Sequence, residues 1–245
     1  MFTSTDMQKR LKDAGLARLI PAYMQTNSAG NTEMGRFNDG LARMIDFYFE
    51  DCLERKFESN LANADLPFVG INVNDVDLQV FPQLNWYLLE QIRSGQWVKQ
   101  GRCVLLHGNT GNEQLRLGSA IASELMLQGL SLRCCSLKDL TYQILKAQSQ
   151  KLAKKTISAF KKHDVLFIHD FEPANLTPME CYWLSNLLDA RKVGRGFLIS
   201  SSSTPAQWRE ELDDVGLVQR IQSVIEPELI KLAFNSKSTK EEAHD

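Results

Sequence analysis

Between residues 37 and 52 the apolar side chains Phe37, Leu41, Met44, Ile45, Tyr48 and Cys52 recur at intervals of three and four, which predicts a helix with one apolar stripe. Arg43, Asp46, Glu50, Asp51 and Glu54 occupy its other positions, as a solvated face requires. Upstream, Met7, Leu11 and Leu16 mark a first short helix that Pro21 interrupts, and the polar run from Thr26 to Thr32 reads as a turn. The beginning of the chain is therefore expected to be all helical. Residues 66–77 carry Pro, Gly and Asn without clear periodicity, and Leu84, Leu88 and Ile92 share one face of a helix predicted over 81–92.

After Gly101 the pattern changes. Short apolar runs alternate with helical spacing: strand 103–107, helix 115–128, strand 131–135, helix 137–149, strand 164–169, helix 177–190, strand 196–201 and helix 205–212. Such alternation implies a parallel sheet with helices on both faces. Two helix starts support the frame, because Thr177-Pro-Met-Glu180 combines a capping hydroxyl, a first-turn proline and a capping-box glutamate, and Thr204-Pro205 repeats the first two. The expected organisation is a helical unit over 1–65, a linker over 66–80, an α/β domain over 81–234 and a disordered, charged tail over 235–245.

Composition narrows the class without naming a function. The chain has 245 residues, 43% hydrophobic and 24% charged, which is ordinary for a globular protein. No run approaches the roughly 18 apolar residues of a membrane span, and the N-terminal residues lack the signature of a signal peptide, so a cytoplasmic protein without membrane contact is expected. Five cysteines without C-x-x-C spacing read as reduced core residues, neither a disulfide frame nor a zinc site. The net charge of -2 provides no global attraction to nucleic acid, so any such contact must rest on a local patch.

One segment carries the chemical information. Gly108, Asn109, Thr110, Gly111, Asn112, Glu113, Gln114 and Leu115 follow an apolar strand and open a helix, which is the setting of a phosphate-binding loop. A working loop reads G-x-x-x-x-G-K-[ST]. Its last glycine permits the turn, its lysine reaches the β- and γ-phosphates, and its hydroxyl ligates magnesium. Here those three positions are Glu113, Gln114 and Leu115. A carboxylate stands where phosphates would lie, an uncharged amide replaces the lysine, and a hydrocarbon replaces the ligand of a hard cation. Arg116 is one residue further round the helix and so is expected to point elsewhere.

Together with these residues, Leu11 to Arg18, Leu105 to Gly111, Leu166 to Asp170, Gln207-Trp208 and Gln219-Arg-Ile221 make the chain resemble the IstB-type AAA+ ATPases, transposition helpers, and the related bacterial helicase loaders. The resemblance implies a parallel-sheet P-loop AAA+ (ASCE-type) domain preceded by a small all-helical domain. It also implies a Walker B strand ending in two acids, of which His169 replaces the first and Asp170 retains the second. It implies a sensor at Ser200-Ser201-Ser202, with Ser202 where the family has asparagine, and an arginine-finger-like Arg220. His169 as a metal ligand lacks a nearby His or Cys partner and reads better as structural. Phosphoryl transfer depends on positioning and charge neutralisation, so no significant ATP hydrolysis is expected. No cofactor is expected, with ATP or ADP and magnesium entering only if the degenerate site functions.

Lys146, Lys151, Lys154, Lys155, Lys161 and Lys162, with Leu152, Ile157 and Phe160 between them, form the candidate DNA contact. The competing reading is a solvated helix face with its apolar stripe turned inward. The resemblance implies a non-catalytic adaptor in transposition or replication, gripping a transposase or replicative helicase through its helical unit. Binding to DNA, to copies of itself or to an active homologue would fit that role. Two alternatives stay open: an active ATPase with a rearranged site using Arg116, Asp170 and Arg220, and a structural oligomerisation module without DNA contact.

Overall fold

Residues 4–27, 33–81, 84–108, 112–191, 194–227 and 229–233 are described in the computed structural model. The expected tail over 235–245, the 28–32 part of the expected turn, and loop residues Asn109, Thr110 and Gly111 lie outside them.

The chain divides into two units, 1–59 and 60–245. In the first, α1 (Ser4–Asp13) leads through a 3-10 turn at Ala17–Leu19 into α2 (Ile20–Asn27), and α3 spans Glu33–Ala64. Pro21 sits in the first turn of α2, where its missing N–H would be unpaired in any case, so it starts a helix there. The unit is centred on Met7, Leu11, Tyr23, Ala42 and Ile45. The expected stripe on α3 is only partly buried: Ile45 is inside, whereas Met44, Tyr48 and Cys52 are exposed. The intervals of three and four are right for a helix, but α3 carries apolar residues around more of its circumference than the short α1 and α2 cover.

In the second unit, the segment after α3 is no plain spacer, because Leu66, Val73, Val76 and Phe81 are buried and two 3-10 turns form at Val73–Asp75 and Leu78–Val80. Helix α4 (Trp86–Arg93) starts later than the periodicity suggested, at a cap where Asn85 accepts the Leu88 N–H at 2.8 Å. A short α5 (Gln96–Lys99) precedes β1 (Cys103–His107). Then follow α6 (Glu113–Leu127), β2 (Leu132–Ser136), α7 (Leu137–Ser149), α8 (Ala153–Lys162), β3 (Val165–His169) and α9 (Pro178–Ala190). The last elements are β4 (Gly196–Ser201), α10 (Pro205–Glu211), α11 (Val215–Val224) and β5 (Ile230–Ala233).

All strand pairs are parallel, in the order β2-β3-β4-β1-β5. Burial on both faces explains why β1, β3 and β4 read as continuous apolar runs. One face packs on α7, α8, α9, α10 and α11, and Phe171 and Trp208 meet edge to face there with ring centroids 4.9 Å apart. Against the other face, α6 comes close enough that a Cβ at Gly118 would lie 2.4 Å from the Phe167 ring. Gly118→Ala is therefore expected to destabilise the domain by about 1–3 kcal/mol through overpacking, despite alanine's better helix propensity. Thermal unfolding checks this, and a raised midpoint would show that the contact relaxes freely.

Parallel pairing aligns the carboxyl ends of β1, β3 and β4, and backbone bonds hold them together. Gly108 N–H donates to Ser201 O at 3.1 Å, and Phe171 N–H donates to Ser200 O at 2.9 Å. The predicted phosphate loop, acidic strand end and sensor strand thus converge at one end of the sheet.

Candidate functional site

The loop begins at Gly108, whose φ of 130° is open to a residue without Cβ. Gln114, in the first turn of α6, is buried and folds back beneath the loop. Its Nε2 donates to Gly108 O, and its Oε1 accepts from Ser200 Oγ at 2.8 Å. The carboxamide has both ends engaged and joins the start of the loop to β4. In the place of a phosphate-reaching ammonium there is a neutral group that pairs with the protein itself. Glu113 is half-exposed, with its carboxylate 3.5 Å from Arg116 Nε. Arg116 in turn donates from Nη2 to Asp75 O at 2.9 Å and stacks 5.9 Å from the Phe68 ring centroid, so its charge serves the 66–81 segment. Leu115 is half-buried and Asn112 exposed.

At the end of β3, His169 Nδ1 lies 2.8 Å from Asp170 Oδ2. Asp170 has φ 49°, a left-handed conformation uncommon for a residue with Cβ, and its side chain is exposed. The two residues at the Walker B positions thus pair with each other. Glu172, two residues further on, is the acid that the neighbouring strand grips. Its Oε1 accepts from Ser202 N–H at 2.7 Å, Ser202 Oγ at 2.6 Å and Ser201 Oγ at 3.2 Å, and its Oε2 accepts from Ser203 Oγ at 2.9 Å. Ser201 Oγ also donates to Phe171 O at 2.8 Å and accepts from Trp208 Nε1 at 3.2 Å. The sensor candidate Ser202 is therefore bonded to Glu172, and Ser200 is the serine that reaches the loop. Sequence reasoning placed Ser200 in the sensor run but missed its bond to Gln114, and it missed Glu172. The serine run was a signal, but its partners are distant in the chain.

Arg220 projects from α11, and its Nε lies 2.9 Å from Asp189 Oδ2 of α9. It is half exposed and paired within its own chain, apart from the loop residues. Lys151 lies in the turn before α8, at φ 60°. On α8, Lys154, Lys155, Lys161 and Lys162 are exposed, while Ala153, Ile157 and Phe160 are buried in the core. None of Lys151, Lys154, Lys155, Lys161 and Lys162 is ion-paired among the described residues. Beside them is an open groove of about 700 Å³, lined by Asn60, Asn63, Arg133, Gln143, Lys155 and His163 among others. Burial, and then the neighbouring Arg191 charge, hold the His163 pKa below its usual value, so the groove's lasting positive charge comes from lysine and arginine. No group of three or more His, Cys, Asp and Glu residues is arranged to hold a metal ion among the described residues. No described helix is long and apolar enough to cross a membrane.

The chain as a whole is similar to known proteins. A family model described as IstB-like ATP binding protein matches residues 8–240. The putative insertion sequence ATP-binding protein y4iQ/y4nD/y4sD of Sinorhizobium fredii (strain NBRC 101917 / NGR234) is 24% identical over 71% of this chain, which spans 58% of that relative's length. The insertion sequence IS1162 putative ATP-binding protein of Pseudomonas fluorescens is 24% identical over 78% of this chain and 82% of its own. Among solved structures, that of the DnaC helicase loader superposes with a TM-score of 0.51 at 16% identity, over 66% of this chain and 97% of that one. The last likeness establishes a shared fold of the AAA+ type.

Proposed function

Because the chain belongs to the IstB-like ATP-binding protein family, we propose that it is a pseudo-ATPase, a non-catalytic adaptor working beside a transposase or replicative helicase in the cytoplasm. The observation that supports this most is Gln114, whose carboxamide bridges Gly108 O and Ser200 Oγ where a phosphate loop needs a free lysine. Leu115 offers no oxygen to magnesium, and His169 pairs with Asp170 where the family has the first acid. Charge neutralisation, the main contribution of a protein to phosphoryl transfer, then lacks its loop lysine and its magnesium-binding hydroxyl and first acid. The loop retains backbone amides at a helix start, which support weak nucleotide binding at most.

Phosphate release from ATP and magnesium, measured with and without DNA, tests the reading. No turnover above background is expected. Turnover that Asp170→Asn abolishes would establish the rearranged active site instead. In this reading the helical N-terminal unit holds the protein partner, and Arg220 is available to an active homologue only if it leaves Asp189.

The exposed, unpaired lysines of α8 and Lys151 favour DNA contact over a purely structural module. Replacing Lys154, Lys155, Lys161 and Lys162 together by Ala is expected to weaken binding to duplexes of any sequence. Each lost phosphate contact should also flatten the slope of log affinity against log salt by about 0.9. All four side chains are exposed, so folding should be unaffected. An unchanged slope would return the row to an ordinary solvated face.

A further inference from the structure

β2 is an edge strand: β3 pairs with one side of it, and no described strand pairs with the other. An open edge presents a row of backbone N–H and C=O groups that another chain can bond. Two adjoining grooves follow this edge. One, of about 700 Å³, opens beside Ser131 and Arg133, between the end of α3 and helices α7 and α8. The other, of about 330 Å³, continues along Arg133, Cys134, Cys135 and Ser136. Arg133 and Gln143 line both, so together they form one trough beside the five residues of β2. That is roughly 16 Å of extended chain at ~3.3 Å per residue.

The chemistry of the trough changes along its length. Beside the start of β2 the cations Lys155 and Arg133 line it without a carboxylate, and His163, whose pKa burial lowers, adds no lasting charge. Beside the end of β2 it is lined by Asp139 and by Asp65, which pairs with Arg133. Between the ends, the carboxamides of Gln143 and Gln150 have no hydrogen bond among the described residues, and each offers a donor and an acceptor, as a peptide group requires. Nucleic acid fits less well, because the carboxylates repel a phosphate backbone and the one ring lining the basic half, Phe160, is buried and offers no stacking surface. Burial pushes the Cys135 thiol up to about 12, so it stays protonated and the trough recognises a ligand rather than reacting with one. We infer that the edge of β2 takes an extended peptide of a partner protein by strand addition, with acidic peptide residues against Lys155 and basic ones against Asp139. Lys151, Lys154, Lys161 and Lys162 line neither groove, so this inference is independent of the DNA contact as well as of the nucleotide loop.

Fluorescence anisotropy of the full chain with two labelled heptapeptides, Glu-Glu-Val-Thr-Val-Lys-Lys and its reverse sequence, tests it. One should bind with a Kd of about 10–100 µM and the other about tenfold more weakly, which also gives the direction of the added strand. Lys155→Glu replaces an exposed side chain and should weaken the preferred peptide about tenfold, and a peptide with Lys in place of both Glu residues should regain most of that loss. Lys154→Glu, on the same helix but outside the trough, should change binding by less than about twofold. Methylating alternate backbone nitrogens of the peptide should abolish binding in one of the two registers only, since every second N–H faces the edge. Binding of neither peptide at about 1 mM overturns the inference. So does a complex indifferent to both methylation registers, or an oligothymidylate that binds in a Lys155-dependent way where the peptides do not.

Discussion

Replacing Glu113, Gln114 and Leu115 together by Gly, Lys and Thr is expected to create magnesium-dependent ATP binding at least a hundredfold tighter than that of the original chain, or about 2.7 kcal/mol. Glycine at 113 removes a carboxylate from the loop, lysine at 114 supplies the charge, and threonine at 115 supplies the magnesium ligand. The surrounding parts are already in place: Gly108 starts the loop with its N–H on Ser201 O, and α6 follows with its first turn at Glu113. The change also removes the Gln114 bridge to Ser200, so the variant should be less stable without ligand and regain stability with it, as linkage requires. Hydrolysis should remain negligible until His169→Asp is added, because binding alone does not stabilise the transition state. Calorimetric titration of the triple variant checks the gain. If it binds no better than the original, the three substitutions are not what closes the site.

Loss of Arg191 should do severe damage to the fold of the α/β unit. Its guanidinium is 1% exposed and lies at the amino end of the sheet, where it donates to Phe160 O at 2.7 Å, His163 O at 3.0 Å and Gly196 O at 3.0 Å. It also stacks 5.0 Å from the centre of the Phe197 ring. Burial pulls its pKa down to about 10, still well above neutrality, so the group remains charged in the folded protein. Arg191→Met would leave four carbonyls, Asp164 O at 3.5 Å included, without this donor, with an expected cost of about 3–5 kcal/mol. That is a large share of the roughly 5–15 kcal/mol that holds a domain together. A fall of about 10 °C in the thermal midpoint is expected, with little recovery in Arg191→Lys, because one ammonium cannot span a planar fork of carbonyls. A shift under about 2 °C would mean that water satisfies these carbonyls readily.

Those two sites differ in how far the sequence revealed them. The bounds of β1, β4 and α7 follow from apolar runs and caps that are local, and the structure has them at the expected residues. The edge strand β5 was not anticipated. It has only four residues, of which Lys231 faces outward, so it lacks the continuous apolar run of the inner strands. The lysine-rich stretch reads either as a DNA contact or as a solvated helix face with its apolar stripe turned inward, and α8 does bury Ile157 and Phe160, together with Ala153. On α3 the periodicity gave the helix but not its surroundings, and Met44 and Tyr48 are consequently outside the core.

At the site, Glu113, Gln114, Leu115 and His169 could be read directly as departures from the patterns of a working phosphate loop and an acidic strand end. What Gln114 does instead could not. Its partner Ser200 is 86 residues away, and only the parallel register of β1 and β4 brings the two together. The same holds for Glu172 and the serines of the β4 end, 29 to 31 residues apart. Arg191 gave no signal, since a buried arginine is recognised by the carbonyls that converge on it.

Titration of ATP and ADP into the unmodified chain by calorimetry, with and without magnesium and up to millimolar ligand, tests the central claim most directly. The Gln114 bridge predicts no magnesium-dependent binding and at most weak association near millimolar ligand. Micromolar binding that requires magnesium would contradict it, and would show that the bridge opens to admit a nucleotide.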